Sequence, residues 1–480
     1  MTITIVGLGP GSVDDITRRA WDVLEHAKTV YLRTRRHPCV DQLPNNRQYH
    51  DFDELYQSHD AFSDVHDAII VQLLAAAEQG DIVYAVPGDP MVGETTTQRL
   101  LAQDKVAVEI VHGVSFIEPM LRQAGIDAMD GLQVFDGMIL AAMHHPPINP
   151  QYPALVAQVL NQMVASDVKL TLMNQYPDDL MVTLIHSAGS DAIVEHVPLY
   201  EIDRSEHLNH LTSLYVPLLG EYTSFEAFME IIAHLRAPEG CPWDRKQTHE
   251  SLRPYLIEEA YEVLDAIDKG EIDELAGELG DLLLQIVLHA QIAVDNGEFY
   301  MTDILDRINR KMIRRHPHVW GDVNVDGDPD QVVTNWEAIK QAEKADNGQI
   351  EQGLLDSIPI TAPALWVAHK FQDKAAKVGF DWPDVSGVED KLREEMQEIF
   401  EATDPEHKAQ EIGDLMFVMV NWLRWLDVDD PESLLRSINQ KFYNRFHFIE
   451  QQAAGQNRDL NEMTLEEMDA IWDQAKKQGL

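Results

Sequence analysis

The feature that most constrains this chain is a four-part pattern that occurs twice, in the same order, in its second half. The first copy runs Glu258-Glu259-x-x-Glu262, Glu278-x-x-Asp281, Lys311-x-x-x-Arg315 and Trp336-x-x-x-Lys340. The second runs Glu394-Glu395-x-x-Glu398, Glu411-x-x-Asp414, Lys441-x-x-x-Arg445 and Trp472-x-x-x-Lys476. Spacings of three and four place each pair on one face of a helix. Long helical periods, Leu256 to Ile267 and Leu275 to Val294 among them, surround the motifs with short polar connections. The pattern therefore predicts an all-α half made of two related helical units.

A lone E-x-x-E is ordinarily the solvated face of an amphipathic helix. Here each acidic pair adjoins an apolar run: Asp281 leads into Leu282-Leu-Leu-Gln-Ile-Val-Leu288, and Asp414 into Leu415-Met-Phe-Val-Met-Val420. A helix this apolar is expected to pack most of its circumference. Carboxylates converging between packed helices repel and raise one another's pKa, a penalty that a bound dication removes. Ligands that are all oxygen suit Mg²⁺ or Mn²⁺, with water and substrate phosphates completing the shell, and no His or Cys cluster has zinc spacing. The expected ligands are Glu259, Glu262, Glu278 and Asp281 in one copy and Glu395, Glu398, Glu411 and Asp414 in the other.

The basic elements fit the same chemistry, since a polyphosphate needs cations for its outer charge. Lys311, Arg315 and Lys340, then Lys441, Arg445 and Lys476, are candidates for substrate binding. Trp336 and Trp472 would stack on a base or sugar, or simply pack at a helix end. Lys391 lies one turn before Glu395, where the first copy has Tyr255. That extra cation favours the second copy for triphosphate handling.

Before residue 220 the texture differs. Short β-branched runs alternate with helical stretches between Gly/Pro turns, the pattern of an α/β domain. Strands are expected at Ile3–Val6, Ile82–Val86, Val108–Val111, Met138–Ala142, Lys169–Met173 and Leu214–Leu218. A boundary falls in Pro217–Glu221 and a second linker in the polar stretch Lys344–Gly353, giving domains 1–220, 221–345 and 354–480. Gly7-Leu-Gly9-Pro-Gly11-Ser12 follows the first strand, but its spacing and Pro10 make it a poor dinucleotide-binding fingerprint. The run Arg33-Thr-Arg-Arg-His37 reads as an exposed loop, with an anionic substrate as the alternative.

With 480 residues, the chain can bury real cores without staples. Two cysteines, Cys39 and Cys241, build no disulfide framework and suit a reducing compartment. The first residues enter a strand without a leader-like segment, and no apolar run looks long enough for a bilayer, so a soluble cytoplasmic protein is expected. The net charge of −45 disfavours a nucleic acid polymer as partner.

Over residues 225–480 the chain resembles the MazG family of nucleotide pyrophosphohydrolases. Leu235-Arg-Ala-Pro-Glu-Gly-Cys-Pro-Trp-Asp244, Glu278-Leu-Gly-Asp281 and Arg314-Arg-His-Pro-His-Val319 resemble that family's first domain. Val378-Gly-Phe-Asp-Trp382 and Glu411-Ile-Gly-Asp414 resemble its second. The resemblance implies an all-α fold, a homodimer completing a four-helix metal site, and hydrolysis of nucleoside triphosphates to the monophosphate and pyrophosphate. It also implies that Glu258 and Glu394 orient or deprotonate the attacking water.

Over residues 1–220, the loops Gly7–Ser12, Val86-Pro-Gly-Asp89-Pro90 and His112-Gly-Val-Ser115-Phe resemble the tetrapyrrole (corrin/porphyrin) methylases. That likeness implies two α/β lobes with an S-adenosylmethionine cleft bordered by Pro10, Gly88, Asp89, Met91 and Ser115. It leaves open a second reading, a methyltransferase whose helical half dimerises and senses nucleotides. A third reading makes the helical half a nucleotide sensor without turnover.

Overall fold

The computed structural model describes residues 1–59, 62–187, 192–346 and 353–480. It divides into two compact units, Met1–Ile304 and Leu305–Leu480. Most of the Lys344–Gly353 stretch read as a linker lies outside the described residues.

The first unit opens with a parallel sheet. Strands β1 (Thr2–Gly7), β2 (Thr29–Leu32), β3 (Gln48–Asp51), β4 (Ile82–Val86) and β5 (Ala107–Val111) lie in the order β3-β2-β4-β1-β5. All five residues of β4 are buried, as a strand covered on both faces requires. Ile3, Ile5, Tyr84 and Val86 pack one face against Ile69 and Leu73. Val6, Val30, Leu32 and Ala85 pack the other against Ala20 and Leu24. A second, mixed sheet follows: β6 (Gln133–Asp136), β7 (Ala154–Ala157), β8 (Met181–Ile185), β9 (Val194–Pro198) and β10 (Ser213–Val216), ordered β6-β7-β10-β8-β9. The α/β class holds.

Two expected strands are helices instead. Met138–Ala142 falls in the helix Gly137–Ala141, because the Asp136 carboxylate caps it by accepting from the Met138 amide. Lys169–Met173 ends the helix Gln162–Leu172, whose Val164, Ala165, Val168 and Leu172 bury one stripe at helical spacing. In each case a capped turn or a 3.6-residue period overrides a β-branched composition. The run Arg33–His37 is an exposed loop in its middle, at Arg35 and Arg36, but is tied down at its ends. Arg33 pairs with buried Glu94 at 2.5 Å, Arg35 pairs with Asp51 at 2.6 Å, and His37 is buried beside Cys39. Two acids in neighbouring segments hold Arg33 and Arg35.

No strand is described after residue 216. In the first unit, α1 (Phe225–Arg236) precedes the hairpin of α2 (Arg253–Lys269) and α3 (Ile272–Asn296). Pro254 starts α2, and Gly270, at φ 72°, ends it. Helix α3 has the length and composition that could cross a bilayer, unlike the sequence-based expectation. It nevertheless carries Glu274, Glu278 and Asp281, and it packs Val287, Leu288 and Ile292 against Ile232 and Leu252. In the second unit, α4 (Val385–Glu401) and α5 (Pro405–Trp425) form the corresponding hairpin, followed by α6 (Pro431–Gly455) and α7 (Leu465–Lys477). Asp384 and Asp404 cap α4 and α5 through their carboxylates.

Candidate active site

Both hairpins put their acidic elements opposite each other. In the first, Glu259 and Glu262 of α2 meet Glu278 of α3, with carboxylate oxygens all within 4.8 Å of one another. Asp281 lies outside that group of three but close enough to raise the pKa of Glu259 and Glu278. In the second, Glu395 of α4 meets Glu411 and Asp414 of α5 within the same 4.8 Å. Glu398 borders this group and feels Glu411 and Glu395. Glu258 and Glu394, one residue ahead of each cluster, are exposed.

The expectation that these acids are wedged within packed helices needs correction. Glu395 is buried at 4 % exposure, Glu259, Glu278, Glu398 and Glu411 are half-buried, and Glu262, Asp281 and Asp414 are exposed. A hairpin of two helices buries one stripe only, so the remaining apolar circumference stays open. Leu279, Leu283 and Ile286 on α3 are exposed, as are Met416 and Met419 on α5.

The electrostatics of the clusters follow from this partial burial. Loss of water raises the Glu259 carboxyl above its ordinary value, helped by Asp281 and Glu262; the same causes, with Glu262 and Asp281 as neighbours, raise Glu278. Glu398 is raised by burial and by Glu411 and Glu395. Carboxyls whose pKa rises on folding bind more protons in the folded state, so in chelator stability declines as pH climbs from the ordinary 4.5 through the raised values. A dication offsets that decline. The Mg²⁺-induced gain in melting temperature is therefore expected to be larger at pH 7.5 than at pH 4.5, checked by calorimetry. A gain equal at both pH values would contradict the clustering.

The two clusters differ in their neighbours. Lys391 donates to Glu395 at 2.8 Å and Glu394 at 3.0 Å, and these carboxylates hold its ammonium above the usual lysine range. His407 lies 2.9 Å from Glu411. Beside the first cluster the neighbour is neutral: the buried Gln285 amide donates to Glu259 at 3.4 Å. Sequence reasoning missed Gln285 and His407, although each sits at a spacing of four from an acid already singled out.

The remaining repeated elements meet within the second unit. The Arg315 guanidinium stands 5.0 Å over the Trp336 ring, and the Lys340 ammonium 5.4 Å from it; Arg445 stands 5.5 Å over Trp472. Arg315 also pairs with Glu343 at 2.5 Å, and Arg445 donates to the Leu480 carbonyl at 2.6 Å. Lys476 pairs with Asp473 at 3.2 Å, whereas Lys311 and Lys441 are exposed.

In the first lobe the three loops expected to border a cofactor converge at the carboxyl ends of β1, β4 and β5, where parallel sheets bind ligands. The Gly9 and Gly88 backbones bond reciprocally at 3.2 and 2.8 Å. The buried Asp89 carboxylate accepts from the Met91 amide at 2.8 Å, the Gly113 amide at 3.2 Å and His112 at 2.9 Å. Ser115 is buried, donates to Glu118 and accepts from the Ile117 amide. Pro10 and Gly88 are buried, and Met91 is exposed. Asp89 and Ser115 thus shape the loops with their side chains. A Cβ on Gly113 would stand 2.3 Å from the Gly88 carbonyl oxygen. Gly113→Ala is expected to cost about 2–4 kcal/mol of stability, read by denaturant unfolding; a loss under about 0.5 kcal/mol would show that the loops separate freely.

Comparison with known proteins bears on the same elements. Residues 247–320 match the MazG nucleotide pyrophosphohydrolase domain model. The nucleoside triphosphate pyrophosphohydrolase/pyrophosphatase MazG of Thermotoga maritima is 46 % identical over 52 % of this chain and 95 % of its own. The chain belongs to the MazG family. The nucleoside triphosphate pyrophosphohydrolase of Escherichia coli (strain K12) is 42 % identical over 53 % of this chain and 98 % of its own. Residues 2–203 match the model of the tetrapyrrole (corrin/porphyrin) methylases, so a domain of that type is joined to the MazG region. The same pairing extends to the uncharacterized protein YabN of Bacillus subtilis (strain 168), 44 % identical over 99 % of this chain and 98 % of that one.

Proposed function

We propose that the chain hydrolyses nucleoside or deoxynucleoside triphosphates to the monophosphate and pyrophosphate with Mg²⁺ or Mn²⁺. The observation that carries this is that a helical hairpin gathers three carboxylates within 4.8 Å in both copies, two from the first helix in one and two from the second helix in the other. The donor sets fit a hard dication. They are all oxygen, and buried oxygens at each cluster, Glu395 Oε2 and Gln285 Oε1, have no partner among the described residues. Glu259, Glu262, Glu278 and Asp281 would hold it in one copy, and Glu395, Glu398, Glu411 and Asp414 in the other. When bound, such an ion supplies Lewis acidity to phosphate oxygens and a lowered pKa to its water.

The chain's own groups do the rest. Glu258 and Glu394 orient the water and take its proton. Lys391 leaves its carboxylates for phosphate oxygens, which its flexible stem permits. Lys441 and Lys476 add charge in the second copy. Arg315 and Arg445 fix Trp336 and Trp472, which border the substrate. The lysine makes the second copy the favoured one for turnover. The open apolar faces of the hairpins suit a homodimer that completes a four-helix site. The reading retains domains 1–220, 221–345 and 354–480, a cytoplasmic setting, and no nucleic acid polymer as partner. In ¹⁸O water, attack at the α-phosphorus puts label in the monophosphate only; label in the pyrophosphate would overturn this reading.

The glycine cradle supports a second role, binding of S-adenosylmethionine beside Pro10, Gly88, Asp89, Met91 and Ser115, since no Cβ crowds the converging backbones. Titration calorimetry is expected to show heat with S-adenosylmethionine, lost in Gly88→Val. A flat titration of the wild-type protein would remove that role.

A further inference from the structure

We infer that the two carboxylate clusters take a dication at different times: the first on the free protein, the second only together with a polyphosphate. The inference rests on the reading of both clusters as dication sites and concerns what neutralises each when no substrate is present.

The contrast is positional. One turn before Glu395 and Glu411 stand Lys391 and His407, each bonded to its carboxylate. One turn before Glu259 and Glu278 stand Tyr255 and Glu274. Tyr255 carries no charge, and its ring meets Trp243 edge-on at 6.0 Å. Glu274 adds a negative charge next to Glu278. Among the described residues, no lysine, arginine or histidine forms an ion pair with Glu259, Glu262, Glu278 or Asp281. The first cluster therefore gathers acids without an internal cation, while the second contains one.

A further observation at the first cluster also points to a ligand. Gln285 is buried at 5 % exposure and donates to Glu259, yet its own Oε1 has no partner among the described residues. A neutral amide beside this cluster satisfies a lone pair but cancels no charge, so the missing positive charge must come from solution. A dication supplies it and accepts the free amide oxygen as an additional donor. At the second cluster a dication must compete with a tethered ammonium. The arrival of phosphate oxygens gives that ammonium another partner and frees Glu395.

Mn²⁺ binding to the full chain, followed by the electron paramagnetic resonance of free Mn²⁺, tests this. Without nucleotide, the wild-type protein is expected to bind Mn²⁺, and Glu262→Gln to weaken that binding by about tenfold or more. Glu398→Gln is expected to leave nucleotide-free binding in place. Lys391→Met is expected to add a second class of nucleotide-free sites. The division is overturned if nucleotide-free binding is absent, if Glu398→Gln removes it as Glu262→Gln does, or if Lys391→Met adds no sites. An absence of Mn²⁺ binding even with a non-hydrolysable triphosphate would instead sink the underlying reading of the clusters.

Discussion

Glu398→Gln is expected to lower pyrophosphate release by at least about a hundredfold while the helical fold persists. Glu398 is half-buried in the last turns of α4, and an amide of the same shape preserves packing there. It removes one negative charge and one hard oxygen donor from beside Glu411 and Glu395, both of which the proposed dication would need. Glu262→Gln makes the same change in the first copy, and a smaller loss is expected because no lysine accompanies that cluster. Rates measured with excess Mg²⁺, beside far-ultraviolet circular dichroism, separate lost chemistry from lost fold. Full activity in Glu398→Gln would show that the second cluster is misassigned.

A large loss of stability is also expected from Arg315→Ala. Arg315 is largely buried, holds Glu343 at 2.5 Å and lies over Trp336. Among the described residues, its truncation leaves a half-buried carboxylate with Arg314 alone, which is more than half exposed. A loss of about 2–4 kcal/mol is expected, against less than about 1 kcal/mol for Arg314→Ala. The hydrogen bond from Arg315 holds the Glu343 carboxyl down at about 2, despite partial burial, from an ordinary 4.5. A depressed folded pKa stabilises above the ordinary value and fades as pH falls toward the folded one. The wild-type protein should therefore lose stability between pH 4.5 and 2, and Arg315→Ala should flatten that part of its acid unfolding curve. Equal acid profiles would show that the pair contributes nothing.

The sequence made the hairpins legible because an acidic pair at a spacing of three, set against an apolar run, has one geometric meaning on a helix. The loops at Gly7, Gly88 and Gly113 were legible through their resemblance to the tetrapyrrole methylases. Local logic failed at Met138 and Lys169, where a capping carboxylate and a helical stripe outweighed β-branched composition. It also failed for the depth of each acid. Glu395 and Asp414 have the same chemistry in sequence, yet one is buried and the other exposed, because depth depends on where each helix meets its neighbour. The pairing of Arg315 with Glu343, 28 residues on, is a tertiary contact that periodicity does not encode. The asymmetry between the copies was half legible: Lys391 stood out, but its bond to Glu395, which puts a positive charge inside the cluster, is a structural finding.

The most direct test is a product analysis of purified protein with nucleoside triphosphates, with Mg²⁺ and with chelator. The account predicts monophosphate and pyrophosphate in equal amounts, without orthophosphate, and no turnover once the metal is removed. Stepwise orthophosphate release, or undiminished hydrolysis in chelator, would contradict it.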